Sequence, residues 1–280
     1  MCEYCNLHAH SDNSLLDGAV TPMERARLTE AMGQTSLSIS DHGTLMGVPD
    51  HIKACKEYGI KPHVGIEAYF KPDRLKQDKH NKKSFHLLLT AQNEIGWKNL
   101  IKLSSEAYES GFYYKPNMDY ALLKDHSEGV IASSGCISGY LPRLILDGAP
   151  QHEIDECINR HLEIFGDNYY FEIMPHDLNE QRIVNQHLVK YSLDYGVPLL
   201  ATNDSHYGKN EDASTQDVLL MIATGQSRNQ REKKKEAGEE VYEMGEADTL
   251  HMMGMDEMAK KFAKYHYDIP AAVIKKSLLE

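Results

Sequence analysis

The sequence has no apolar run near the ~20 residues that a membrane-spanning helix requires, so no such span is predicted. It has only 5 cysteines, scattered along the chain, and these do not form a disulfide framework. The amino terminus, MCEYCNLHAH, lacks a basic stretch leading into an apolar one, so nothing in it resembles a secretory signal. These absences predict a soluble protein in a reducing cytoplasm. Basic residues are in deficit, 30 Lys and Arg against 42 Asp and Glu for a net charge of −12. That balance argues against a surface coating DNA along its length, because neutralising many phosphates takes clustered cations. Any contact with nucleic acid is expected to be local, and bound divalent ions would offset part of the acidity where a phosphate sits. No internal repeat is visible.

Histidine, by contrast, is plentiful: 15 are present, most of them at the ends of apolar, strand-like runs. The chain of 280 residues is long enough for one large α/β barrel, although that length also fits two domains. Strand candidates are 4–8, 36–40, 63–68, 85–90, 129–133, 169–174 and 198–202. Helices are predicted from Thr21-Pro22 to Gly33, from Gly47 to Gly59, and over 94–108, 138–147, 152–165, 178–195 and 213–223. Roughly seven strands, each followed by a helix, predict a parallel, closed or nearly closed barrel. Two segments break the rhythm. Residues 71–83 read as a polar, basic loop over one end of the barrel, and 226–240 as a solvated charge run without an apolar face. The tail over 256–280 has helical periodicity without a closing glycine, which suggests a longer parent chain.

His8 and His10, spaced two apart after the first strand, fall on one side of an extended backbone and can share a metal. The same residue types recur as Asp41-His42 after the second strand, Glu67 late in the third and Cys136 after the fifth. Asp204-Ser205-His206 follows the seventh strand, while His86 lies near the start of the fourth. Carboxyl ends of strands are where parallel barrels bind ligands. A set of imidazoles, carboxylates and one thiolate suits Zn, Mn or Fe better than Mg or Ca. Its size exceeds one coordination shell and predicts a multinuclear site. Such a site suits phosphoester hydrolysis, in which the ions clamp both oxygens and lower the pKa of water to ~7 for attack as hydroxide.

The motifs His8-Ala9-His10-Ser11, Ser14-Leu15-Leu16-Asp17-Gly18, Ser40-Asp41-His42-Gly43, Glu67-Ala68-Tyr69, Ser134-Gly135-Cys136 and Thr202-Asn203-Asp204-Ser205-His206-Tyr207 resemble the PHP (polymerase and histidinol phosphatase) family. Gly111-Phe112-Tyr113-Tyr114-Lys115-Pro116 and the region around Asp256-Glu257-Met258 resemble its branch within bacterial DNA polymerase III alpha subunits. The resemblance spans nearly the whole chain. It implies a distorted (β/α)7 barrel, one PHP domain over 1–280 with 226–280 a more variable extension. It also implies two to three divalent ions. His8, His10, Glu67 and Asp204 would hold one, Glu67, His86 and Cys136 a second, and Asp17, His42 and His206 a third. Glu67 and Asp204, with His10, would carry the catalytic role. The implied reaction is hydrolysis at the 3′ end of DNA, a 3′-to-5′ exonuclease of proofreading type, with a DNA polymerase catalytic subunit or replisome proteins as partners. Two other readings stand beside it: a silent module that braces a polymerase, and a small-molecule phosphatase of the histidinol-phosphate type.

His176 after the sixth strand is either an acid or phosphate contact at the site mouth or a plain loop histidine. Lys115 is a candidate substrate phosphate contact. Asp41 and Asn203 suit orientation of ligands or water. Cys2 and Cys5 fall on opposite faces of a strand and are not expected to bind metal. Cys55 and Cys157 read as buried apolar residues, and His51, His63, His152 and His161 as structural or surface.

Overall fold

The structure, a computed structural model, describes residues 4–76, 83–238, 241 and 248–280. In chain order it comprises α1 (Pro22–Ala31), β1 (Ser36–Ile39), α2 (Val48–Glu57), β2 (Lys61–Phe70) and β3 (Phe85–Ala91). There follow α3 (Glu94–Glu109), β4 (Phe112–Tyr113), β5 (Lys115–Met118), α4 (Tyr120–Asp125), β6 (Val130–Ser133), α5 (Tyr140–Leu146) and α6 (Gln151–Phe165). The last group is β7 (Tyr169–Ile173), α7 (Asn179–Tyr195), β8 (Leu199–Ala201), α8 (Ala213–Thr224), α9 (Arg228–Glu236), α10 (Met255–Tyr265) and α11 (Ala271–Ser277). Helix starts follow local chemistry: Thr21 accepts from the Glu24 amide ahead of a first-turn proline, and Asn93 accepts from the amides of Ile95 and Gly96. Among the described residues no helix is long and apolar enough to cross a membrane.

The strands run β1-β2-β3-β6-β7-β8, and the ring is closed by the extended segment around Ala9. The His10 amide donates to the Ser205 carbonyl at 2.8 Å and the Ser40 amide to the Ala9 carbonyl at 2.9 Å. The segment thus lies between the ends of β8 and β1, and the molecule is a distorted β/α barrel. Residues 4–8 are not the strand that their composition predicts; only the bridge of Ala9 to Ser205 is formed there. With Asn6 turned to bond the His8 carbonyl, Asn203 and Ser205 through its side chain, the backbone curls instead of pairing along its length.

A second departure from the predicted regularity matters more for the site. β3 runs antiparallel to both β2 and β6, with no helix between β2 and β3 among the described residues. The sheet is therefore mixed. The connection over 71–83 is described only at 71–76 and 83, where it is irregular; the rest of that predicted loop lies outside the described residues. The charge run at 226–240 is not featureless either. It contains α9, started by a reciprocal Ser227–Gln230 cap, whose Arg231 is buried against Asp217 at 2.5 Å.

Strand alternation decides what enters the barrel. Ile66, Ala68 and Phe70 of β2 belong to the apolar cluster that also holds Leu100 and Leu103 of α3, so Glu67 and Tyr69 face the other way. Likewise Leu87 and Leu89 join that cluster while His86 does not, and Phe171 and Ile173 join it while Glu172 does not. Each of the Leu, Ile and Phe side chains among these contributes about 1.5–3 kcal/mol on full burial. Packing between strands and helices thereby holds a polar barrel interior in place.

Candidate metal centre

Glu67 lies at the middle of the polar interior, fully buried. An isolated buried carboxylate is worth several kcal/mol of penalty, and here imidazoles surround it. Its Oε1 is 2.8 Å from His86 Nδ1 and 3.1 Å from His8 Nε2; its Oε2 is 2.6 Å from His42 Nδ1 and 3.4 Å from His10 Nε2. Asp204 Oδ1 lies 2.9 Å from His10 Nε2 and 3.2 Å from His8 Nε2. Asp17 Oδ2 lies 2.8 Å from His42 Nε2 and 3.1 Å from His206 Nε2. Cys136 Sγ is 3.6 Å from Glu67 Oε1 and 3.5 Å from His86 Nδ1. The residues implied as ligands in the sequence, from His8 to His206, thus converge on one region.

Among the described residues, three groupings have the spacing of a metal site: His8, His10, Glu67 and Asp204; His42, Glu67 and His86; and His10, His42 and His206. The first is the implied set. In the second His42 stands where Cys136 was expected, and in the third His10 stands where Asp17 was expected, although both expected residues lie alongside. His86 belongs here because β3 is reversed, so that its first residues lie level with the last residues of β2; Tyr69 pairs with His86.

The proton arrangement bears on whether these residues fit cations. His206 Nδ1 donates to the Asp204 carbonyl at 2.6 Å, so the Nε2 lone pair of the neutral ring faces Asp17. His8 Nδ1 is turned to Glu172 at 2.7 Å, so its Nε2 lone pair faces Glu67 and Asp204. A lone pair and a carboxylate oxygen at such distances repel unless a cation, a proton or a metal, lies between them. Among the described residues, buried His8 Nε2, Asp17 Oδ2, His42 Nδ1 and Glu67 Oε2 accordingly have no hydrogen bond of acceptable geometry. The donor set of imidazoles and carboxylates fits divalent metal ions.

Electrostatics follow the same lines. Burial opposes ionisation of Glu67, yet His86, His42 and His8 hold its carboxyl well below the ordinary range. Asp204 and Asp17 are likewise depressed against burial, Asp204 chiefly by His8 and His206, Asp17 chiefly by His206. Burial opposes protonation of His42 and His206, but carboxylates overcome it: Glu67 chiefly raises His42 to about 10, and Asp204 then Asp17 raise His206 to about 9. Burial lowers His10 to about 4, and burial also raises the Cys136 thiol.

Supporting residues hold this arrangement. Glu172 receives Ser133 Oγ and Thr202 Oγ1 at 2.5 Å each, while its own amide donates to Ser134 Oγ. It is the main participant that the sequence reading missed; the available signal was a charge between Phe171 and Ile173 in an otherwise apolar strand. Ser14 was also missed. Its hydroxyl lies 3.0 Å from His10 Nδ1 and donates to Asp41 Oδ1 at 3.0 Å, so Asp41 orients His10 through Ser14. Asn203, expected beside a ligand or water, instead donates to the Thr249 and His251 carbonyls, both at 2.7 Å. It ties the 248–253 segment against the site wall, where the His206 amide donates to the Leu250 carbonyl.

His176 and Lys115 lie outside the metal-spaced groupings. His176 is buried with Nδ1 2.7 Å from Thr249 Oγ1, its Nε2 has no partner among the described residues, and burial lowers its pKa to about 4. Lys115 Nζ donates to Tyr69 Oη at 3.2 Å, and the Tyr69 ring stacks on His42 with centroids 6.1 Å apart. His51 and His161 are buried, His63 is half-buried and His152 is exposed. Cys55 and Cys157 are buried on α2 and α6; Cys5 is half-buried outside any strand, and Cys2 lies outside the described residues.

The PHP domain family matches residues 6–176. DNA polymerase III subunit alpha of Borreliella burgdorferi is 42% identical over 245 residues, covering 85% of this chain and 21% of that protein. The same subunit of Helicobacter pylori strain 26695 is 38% identical over 279 residues, covering 96% of this chain and 22% of that protein. The chain therefore spans about a fifth of the length of these curated relatives. Among solved structures, an amidohydrolase from Chromobacterium violaceum aligns at a TM-score of 0.42 and 15% identity, over 72% of this chain and 87% of that one.

Proposed function

The chain belongs to the PHP domain family, and from that premise we propose that it is a metal-dependent phosphoesterase acting as a 3′-to-5′ exonuclease on DNA 3′ ends. The observation that carries the reading is Glu67, whose two oxygens face four imidazoles at 2.6–3.4 Å in a fully buried site. His8, His10, Glu67 and Asp204 would hold one ion; His86 and Cys136 with Glu67, and Asp17, His42 and His206, would hold others. Bound there, such ions supply Lewis-acid polarisation of a phosphoryl group and acidify water. The chain's own residues do the rest. Glu172 fixes the His8 ring and Asp41, through Ser14, fixes His10, so the ligands need little rearrangement to bind.

The DNA substrate is supported by the curated relatives, which are named as DNA polymerase III alpha subunits. In that setting the chain works in the cytoplasm beside a polymerase catalytic subunit, as one domain over 1–280 to which 248–253 contributes wall. His176 Nε2, buried and without a partner among the described residues, is available as a substrate contact, and Lys115 as a phosphate contact at the rim. The test is a panel of 3′-mismatched DNA, single-stranded DNA, RNA, histidinol phosphate and a chromogenic phosphodiester, each with Zn, Mn, Fe and Mg separately. Release of mononucleotides from DNA 3′ ends is expected. Turnover of histidinol phosphate alone would transfer the site to small molecules, and no turnover under any metal would leave a structural module.

A further inference from the structure

Arg25 of α1 is fully buried, and the residues around it do not neutralise its charge. Its Nη2 donates to the Ser38 carbonyl of β1 at 2.6 Å, whereas Nε and Nη1 have no partner among the described residues. No carboxylate pairs with it among those residues. Asp41 and Asp12 act on it from a distance, and the Asp41 oxygens are already taken by the Ser11 amide, Ser11 Oγ and Ser14 Oγ. The Cys5 thiol nearby is no counter-ion, since burial pushes its pKa up to about 11. Burial disfavours the charged guanidinium, yet arginine stays protonated in proteins. A buried charge left uncompensated is strongly destabilising.

Arg25 borders a cavity of about 20 Å³. A water molecule needs about 10–15 Å³, so the cavity takes one small ion, while a phosphate or a carboxylate is too large for it. Asn6, Ala9, Ser205 and Met252 are among its other walls, and no described residue that lines it is acidic. Ser205 Oγ accepts from Asn6 Nδ2 at 3.3 Å, which leaves its hydroxyl proton to donate. Ala9 stands between His8 and His10, and Ser205 between Asp204 and His206. The bridge of Ala9 to Ser205 closes the barrel, and alternation along the extended segment turns Ala9 away from the side that His8 and His10 face. We propose that Arg25 holds a small monovalent anion of the size of chloride, behind the seam that carries four of the metal-capable residues. The ion neutralises the guanidinium, accepts from Ser205 and ties α1 to the closure of the barrel. Water in its place would satisfy the N–H groups and leave the charge.

Urea melts of the 280-residue chain are run in chelator, so that chloride has no metal to bind. Sodium chloride replaces sodium gluconate, an anion too large for the cavity, at constant ionic strength. The folding constant of the wild type should rise with chloride, approaching about tenfold for each tenfold increase above the Kd of the ion, as one bound ligand requires. Arg25→Met keeps an unbranched side chain without the charge and should be equally stable in both salts. Arg25→Lys should retain a smaller preference for chloride. Lys98→Met, which removes a cation from the exposed surface of α3, should keep the full dependence and controls for general salt effects. Wild-type crystals in bromide keep the question open if Arg25→Met fails to fold, and an anomalous peak within hydrogen-bond reach of Arg25 is expected. Equal stability of the wild type in both salts, an undiminished chloride effect in Arg25→Met, or a site without anomalous signal overturns the inference. A bromide peak with no chloride dependence of stability marks an adventitious ion only and overturns it as well.

Discussion

Glu67 and His86 meet at 2.8 Å although one lies late in β2 and the other at the beginning of β3. In a strictly parallel barrel these positions would be at opposite ends. The reversed β3 brings them level, so one carboxylate on β2 meets imidazoles from β3, from the Ala9 segment and from the loop after β1. Replacing Glu67 with Gln preserves volume but removes the charge that offsets the imidazoles and any ions. Hydrolysis should fall by on the order of 100-fold or more, with metal affinity, while the circular dichroism spectrum stays native. Full activity in Glu67→Gln, with chelator still inhibitory, would place the reaction elsewhere.

Strand and helix positions were largely legible because apolar periodicity reports which residues are buried. Periodicity does not report direction: Phe85–Ala91 reads the same whether β3 runs up or down, and this is why His86 looked misplaced. The 4–8 segment failed for the opposite reason. Its composition suits a strand, but tertiary bonds from Asn6 override it. Site residues were legible where a ligand type stood after a strand. Glu172 and Ser14 were not, since their roles exist only through His8 and His10.

Glu172 tests how far such support matters. With Glu172→Gln the charge opposite His8 Nδ1 is lost and the Ser133 and Thr202 hydroxyls face a weaker acceptor. Metal affinity should drop roughly 10- to 100-fold with little change in fold. Competition against a chromophoric chelator measures it; unaltered affinity would mean that His8 is held by packing alone.

Metal binding should also depend on pH in a particular direction. His42 and His206 hold protons up to about 10 and 9 against their facing carboxylates, and a divalent ion must displace these protons. Apparent affinity should therefore rise as pH rises towards 9 and fall on acidification. Calorimetry in buffers of different ionisation enthalpy should show net proton release at neutral pH. Binding without proton release would count against these rings as ligands.

Stability follows the histidines outside the cluster. Burial lowers His51 to about 3 and His161 to about 4, below the ordinary 6.5. Between those values and 6.5 the unfolded chain binds more protons than the folded one, so stability falls as pH drops from 6.5 towards 4. His161 is stacked on Tyr169 at 4.9 Å and 13°. His161→Phe keeps a flat ring there and should flatten the acid slope of Tm, a single such group being worth roughly 3 kcal/mol at full protonation. An unchanged slope would mean that His161 is not among the groups responsible.

Asp204 separates backbone strain from charge. Its φ of 49° is left-handed, a conformation that Asn tolerates almost as well as Asp and Ala does not. Asp204→Asn should therefore fold nearly as well as the wild type, whereas Asp204→Ala should be less stable than Asp204→Asn by about 1 kcal/mol in chelator. Both remove the carboxylate facing His8 and His10, so hydrolysis should fall in both by on the order of 100-fold or more, as for Glu67→Gln. The two measurements, urea melts in chelator and 3′-nucleotide release with metal, thus move independently. If Asp204→Asn hydrolyses DNA at the wild-type rate, its carboxylate is not needed for the reaction. If activity tracks stability across the two variants, Asp204 serves the fold and not the chemistry.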